Sequence, residues 1–149
     1  MEIISGSTEE TKKLAEAVAK AVKPGMVLAL YGDLGSGKTT FTRYLVEALG
    51  FSSRVQIPTF VLHRRYTRDQ TYAGITIINH LDFYRLTSKD EVYDLGLSEM
   101  LAERNSILVV EWPELAEDFL PGNQVKISFS VVGENTRRIV IKNLVIDYV

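Results

Sequence analysis

Cysteine is absent from the 149 residues. That excludes disulfide staples and thiolate metal centres. Histidine is almost absent: His63 and His80 are too few for a His-rich metal site. Basic excess is missing too, with 17 Lys and Arg against 19 Asp and Glu, for a formal net charge of -2. A protein that grips nucleic acid alone usually carries a basic surplus, so binding a phosphate backbone is not the expected main role. No apolar run approaches about 18 residues, so no membrane-spanning helix is expected. The opening MEIISGSTEE has no basic region ahead of an apolar run and does not read as a secretory signal. A soluble cytoplasmic protein is the resulting expectation. Repeats, low-complexity tracts and Pro/Gly-rich linkers are also lacking, and the length suggests one domain over residues 1–149.

What is present begins with YGDLGSGKTTF, residues 31–41. Gly32, Gly37, Lys38 and Thr39 follow the spacing G-x-x-x-x-G-K-[ST], the signature of a loop that wraps nucleotide phosphates. A triphosphate is highly charged and needs neutralising without a bulky cage. Glycines let successive backbone N–H groups converge on phosphate oxygens, and Gly35 and Gly37 can take angles that side chains forbid. The helix that follows aims its positive end at the anion. Lys38 supplies a point charge to the β- and γ-phosphates, and Thr39 offers a hydroxyl to Mg²⁺. With Gly near 7% of residues, a chance match in a chain of this length is on the order of one in a few hundred.

The flanking pattern supplies the right context. Ser7-Thr8-Glu9-Glu10 reads as a capping box, followed by Leu14, Ala17, Val18 and Ala21 at helical spacing. That helix should stop at Lys23-Pro24-Gly25. Met26 to Tyr31 is short and continuously apolar, as in a strand buried on both faces. After the loop, Phe41, Tyr44, Leu45, Ala48 and Leu49 mark a helix face that Gly50 ends. Residues 51–59 read as irregular. Phe60 to Tyr66 and Ile75 to Leu81 read as an antiparallel hairpin with a polar link around Thr67 to Gly74. Ser88 to Leu101 reads as one helix, or two broken near Gly96. Ile107 to Trp112 reads as a second buried strand that Pro113 halts. Val125 to Val132 and Arg138 to Lys142 suggest a terminal hairpin, with a last short strand over Val145 to Val149. The expected architecture is α/β: a P-loop NTPase-like sandwich whose mixed sheet carries antiparallel hairpin additions.

A Mg–nucleotide site needs an acid at the end of a neighbouring buried strand. Glu111 follows Ile107-Leu108-Val109-Val110, and Asp82 follows Ile75 to Leu81. The sequence leaves open which acid serves the metal and which a water. Thr59, after Ile57-Pro58, lies where nucleotide switches place a sensing Thr, although a plain Pro-Thr turn is the favoured reading of the residues alone. His80 stands two residues before Asp82, so a strand points both to one face; it reads as a structural residue of the sheet. Trp112 reads as core or as a cover over the nucleotide, and Arg137-Arg138 as a solvated pair in preference to one that reaches phosphate or adenine. A guanine-reading [NT]-K-x-D segment is missing, since Thr87-Ser88-Lys89-Asp90 has the letters in the wrong order. ATP is therefore expected rather than GTP.

Taken together, GDLGSGKTTF (32–41), IPTF (57–60), HLDFYRL (80–86) and VEWPE (110–114) resemble the TsaE family in order and spacing. These are small bacterial ATPases of tRNA threonylcarbamoyladenosine biosynthesis. The resemblance implies a subunit that binds the TsaD–TsaB pair and whose ATP cycle supports their repeated turnover. Those partners transfer a threonylcarbamoyl group to adenosine 37 of ANN-decoding tRNAs, so tRNA is met only through the complex. By position, the resemblance implies that Lys38 and the loop residues Asp33, Leu34, Gly35, Ser36, Gly37, Thr39 and Thr40 hold phosphates. It implies Thr39 and Glu111 on Mg²⁺, and Lys38, Asp82 and Thr59 as the catalytic set. Thr11 falls on a first-helix Thr placed near the base, and Arg138 on a C-terminal Arg associated with nucleotide. Ile57 stands where the family segment often has Ser, so any hydroxyl role there falls to Thr59. Two other readings compete: a small-molecule kinase using the same loop, and a nucleotide-dependent assembly module without meaningful turnover.

Overall fold

The computed structural model describes residues 1–52, 54–57 and 62–148. Eight strands form one mixed sheet in the order β1-β8-β7-β2-β6-β5-β4-β3. At its centre, β2 (Val27–Tyr31), β6 (Ser106–Glu111), β7 (Val125–Val131) and β5 (Ile75–Asp82) run parallel. β2 and β6 are the short apolar runs expected to be buried on both faces, and every residue of β6 is buried. Antiparallel strands extend both sides. β8 (Arg137–Lys142) and β1 (Glu2–Ser5) continue from β7. β4 (Leu62–Tyr72) and β3 (Arg54–Ile57) continue from β5.

Helices cover the two faces unequally. α1 (Thr8–Ala21) and α2 (Lys38–Ala48) pack together on one face, where Leu14, Val18, Phe41 and Leu45 meet Leu28, Leu30, Val109 and Ile127. On the other face, α3 (Lys89–Tyr93), α4 (Leu97–Ala102) and a 3-10 helix (Pro113–Phe119) cover Val27, Ala29, Leu81, Leu108 and Val110. Fully burying a side chain such as Phe41 or Leu14 contributes about 1.5–3 kcal/mol. Ser7 caps α1 by accepting from the Glu10 amide, while the Glu10 carboxylate reaches back to the Gly6 amide. The expected capping box is therefore present, displaced by one residue on its return arm.

Several expectations need correction. The stretch expected to be irregular contains β3. The polar link from Thr67 continues as strand to Tyr72, and the turn is only Ala73-Gly74, both at positive φ. Positive φ at both central residues suits a tight hairpin turn. A register shift between Thr67 and Tyr72 absorbs the extra residues. Polarity misled there because Arg68 has its own partners: it donates to the Leu49 carbonyl at 3.0 Å and lies over the Phe51 ring. No strand forms over residues 144–148; β1 takes the sheet edge beside β8 instead. β1 escaped notice because only Ile3 of its four residues is a buried apolar side chain. The helical stretch is two helices, divided at Gly96 with φ 76°.

Candidate functional site

The chain leaves β2 at Tyr31 and must turn sharply into α2. Gly32 allows this. A Cβ there would stand 2.7 Å from the Phe129 carbonyl oxygen, and its φ of 145° disfavours any side chain. Gly37, at φ 106°, forms the N-cap of α2 with no side chain to cover the first amides. Those amides open into a cavity of about 480 Å³. Asp33, Leu34, Gly35, Ser36, Gly37, Lys38, Thr39 and Thr40 all line it, so every expected loop residue meets at one place. The Ser36 hydroxyl is buried and finds no partner among the described residues.

Parallel register delivers the acids. Asp82 and Glu111 are paired positions at the ends of β5 and β6, and both line the cavity. Their environments differ. Glu111 is 2% exposed. Its Oε1 accepts from the Thr39 hydroxyl at 3.0 Å, and its Oε2 lies 2.5 Å from His80 Nε2. Burial pushes the Glu111 carboxyl up, but the His80 hydrogen bond and charge, the Thr39 hydroxyl and the Lys38 ammonium together hold it below the usual carboxylate value. Asp82 is half-buried and its Oδ1 accepts from the Tyr84 amide at 3.0 Å.

Lys38 donates to the Gly32 carbonyl and its Nζ lies 3.8 Å from the centre of the Trp112 ring. Burial lowers the Lys38 ammonium, with Glu111, Asp82, Glu114 and Asp33 pulling it back up. Trp112 sits at φ 56°, directly after Glu111 and ahead of Pro113, and stacks on Tyr84 with centroids 5.0 Å apart. Trp112 is thus part of the cavity wall, and Tyr84 reaches that wall through it.

The opposite wall comes from the start of α1. Thr11 lines the cavity and its hydroxyl pairs with Ser5 at 2.8 Å. Arg138 is not there. It lies on the sheet face away from α1 and α2, paired with Glu2 at 2.7 and 3.0 Å. Its neighbour Arg137 lines the cavity and donates to the Gly35 carbonyl at 3.4 Å. Strand alternation explains the correction: Ile139 and Ile141 are buried against the α1/α2 face, and Arg137 shares their parity. His80 is likewise more than a sheet residue, through its contact with Glu111. Thr59 lies outside the described residues.

The arrangement places an anion-binding helix start, a lysine and two carboxylates around one cavity. It offers oxygen donors from Thr39, Glu111 and Asp82 and a cation at Lys38. Comparison with known proteins agrees with the geometry. The family model "Threonylcarbamoyl adenosine biosynthesis protein TsaE" matches residues 5–139. A tRNA threonylcarbamoyladenosine biosynthesis protein TsaE from Bacillus subtilis (strain 168) is 40% identical over 131 residues, covering 88% of this chain and 78% of the relative. The same-named protein of Rickettsia bellii (strain RML369-C) is 35% identical over 94% of this chain and 93% of its own length. That of Aquifex aeolicus (strain VF5) is 37% identical over 93% and 92%. Among solved structures, YdiB of Bacillus subtilis superposes with a TM-score of 0.72 at 34% identity, over 93% of this chain and 82% of that one.

Proposed function

Because the chain belongs to the TsaE family of tRNA threonylcarbamoyladenosine biosynthesis, we propose that it is a Mg²⁺-dependent ATPase whose slow hydrolysis is raised by the TsaD and TsaB proteins. The observation that carries this reading is the Thr39–Glu111 hydrogen bond beside the phosphate loop. It joins the first turn of α2 to the end of β6, where a P-loop site needs its hydroxyl and its acid.

The donor set suits Mg²⁺. Among the described residues no three His, Cys, Asp or Glu side chains converge as in an all-protein metal cage. Mg²⁺ instead takes one or two carboxylates and completes its shell with waters and phosphate oxygens. Thr39 and Glu111 would hold it. Bound there, the ion neutralises charge on the phosphates and fixes their orientation.

The chain's own residues do the rest. Loop amides and the α2 N-terminus hold the phosphates. Lys38 exchanges its Gly32 and Trp112 contacts for phosphate oxygens. Asp82, free of the buried bonds that occupy Glu111, would orient a water, and Thr59 would join it in the catalytic set. Thr11 lies on the wall opposite the acids, where a base would rest. Hydrolysis by these groups alone is slow because transition-state charge needs further preorganised donors. A partner that completes the site would supply them, as trans-acting groups do for other P-loop proteins. ATP binding and partner binding should then favour each other.

A kinase reading finds less support. A kinase usually needs an Arg-bearing lid, and two arginines of β4 are engaged elsewhere: Arg65 pairs with Glu103 on the α4 side, and Arg68 bonds to the Leu49 carbonyl. The test is phosphate release from ATP by the protein alone and with TsaD and TsaB, together with its affinity for them in ATP and in ADP. Release raised by the partners and tighter binding in ATP are expected. Full-speed hydrolysis alone, or partner affinity indifferent to nucleotide, would overturn the reading.

A further inference from the structure

The pairing of His80 with Glu111 is a contact between two side chains that are each about 2% exposed. We propose that His80 is a positioning residue. It donates from Nε2 to Glu111 Oε2 and so turns the carboxylate toward the metal side of the cavity. The inference rests on the Mg–ATP reading of the site.

Glu111 Oε1 already accepts from the Thr39 hydroxyl, and Oε2 stands at charge-assisted hydrogen-bond distance from the ring nitrogen. The proton in the 2.5 Å contact resides on His80 Nε2. The other nitrogen, Nδ1, is buried and finds no partner among the described residues. The ring's polar contact in the fold is thus directed at a single carboxylate oxygen.

That direction has a geometric consequence. Thr39 engages Oε1 and His80 engages Oε2, so each oxygen of Glu111 has a fixed donor. A carboxylate held at both oxygens cannot swing between rotamers. Asp82, its neighbour across the β5–β6 register, has only a local bond to the Tyr84 amide. His80 therefore distinguishes two adjacent acids that the strand pairing alone would treat alike. Groups that orient a metal ligand from behind typically change metal affinity 10–100-fold when removed.

The experiment is a Mg²⁺ titration of ATP binding by calorimetry, on wild type and three variants, with melting temperature and metal-free ATP affinity measured on each. His80→Leu removes the donor. In His80→Gln the side-chain amide nitrogen reaches about as far as Nε2, while in His80→Asn it reaches only the Nδ1 position. The expected result is a rise of about 10–100-fold in the Mg²⁺ requirement for His80→Leu and His80→Asn. His80→Gln should stay within about threefold of wild type, because the donor is retained. Metal-free ATP affinity should be unchanged in all three. Should His80→Leu fail to fold, the contrast between Gln and Asn decides alone. Equal Mg²⁺ requirements in Gln and Asn, or a matching loss of metal-free ATP binding, would overturn the positioning role while leaving the Mg–ATP reading intact. Wild-type ATP binding indifferent to Mg²⁺ would overturn that reading, and this inference with it.

Discussion

The parallel centre and the outer hairpin both send side chains into the same cavity, but they do so under different constraints. In β6 every residue is buried, with Ile107 and Val109 on one face and Leu108 and Val110 on the other. The strand can neither slip nor rotate, so the acid at its end has one address. β8 is covered on one face only, and two adjacent arginines compete for the cavity side. There parity decides: Arg137 turns in beside Gly35 and Arg138 turns out to Glu2. A one-residue shift at the centre would disrupt two cores, whereas at the rim it exchanges one arginine for another.

This contrast predicts a gradient of effects. The largest belongs to Lys38. Lys38→Ala should weaken ATP binding by about 100-fold, the scale of a charge-assisted contact near 3 kcal/mol. The melting temperature should not fall, because Lys38 is held in the fold at a cost of burial that alanine does not incur. Calorimetry with Mg–ATP beside a thermal melt checks both halves.

The rim should respond less. Arg137→Ala should reduce ATP affinity about fivefold, corresponding to roughly 1 kcal/mol for a partly exposed contact. Arg138→Ala should leave affinity unchanged, since its guanidinium bonds Glu2 on the other sheet face. Equal losses from the two would show that β8 does not hold the register described.

The smallest expected effect is on acid stability. Glu111 is lowered from an ordinary value of 4.5. Its ionised form therefore contributes stability that is fully present above that pH and is lost as pH falls through the lowered value. Glu111→Gln removes the titrating group. The difference in melting temperature between wild type and Glu111→Gln should narrow as pH is taken below about 4.5. A gap constant from pH 7 to pH 3 would mean that folding does not lower the Glu111 carboxyl.

How much could be read before the fold follows the same division. The phosphate loop, the strand before it, the helix after it and both acids were legible because each rests on local pattern: glycine spacing, short apolar runs, helical periodicity, an acid at a strand end. Arg138 was assigned from family position and stands one residue from the side chain that enters the cavity. Counting alternation from Ile139 and Ile141 would have chosen Arg137. β1 and β3 were missed because edge strands of four residues carry little pattern. The strand over Thr67 to Tyr72 was missed because its residues are mostly polar, and Arg68 finds its partner at the Leu49 carbonyl rather than in a loop. The His80–Glu111 contact was legible only in part. That His80 shares a face with Asp82 follows from period two, but which acid it touches is set by the stagger between β5 and β6.

The central claim is that Glu111, buried and held by Thr39 and His80, is the acid that serves the metal, and that Asp82 serves the water. The most direct measurement is a Mg²⁺ titration of ATP binding in Glu111→Ala and Asp82→Ala side by side, with single-turnover hydrolysis on each. Glu111→Ala is expected to raise the Mg²⁺ requirement by about 10–100-fold while metal-free ATP binding holds. Asp82→Ala should bind Mg–ATP nearly as wild type and hydrolyse it far more slowly. The reverse pattern, with Mg²⁺ dependence lost in Asp82→Ala and kept in Glu111→Ala, would contradict it.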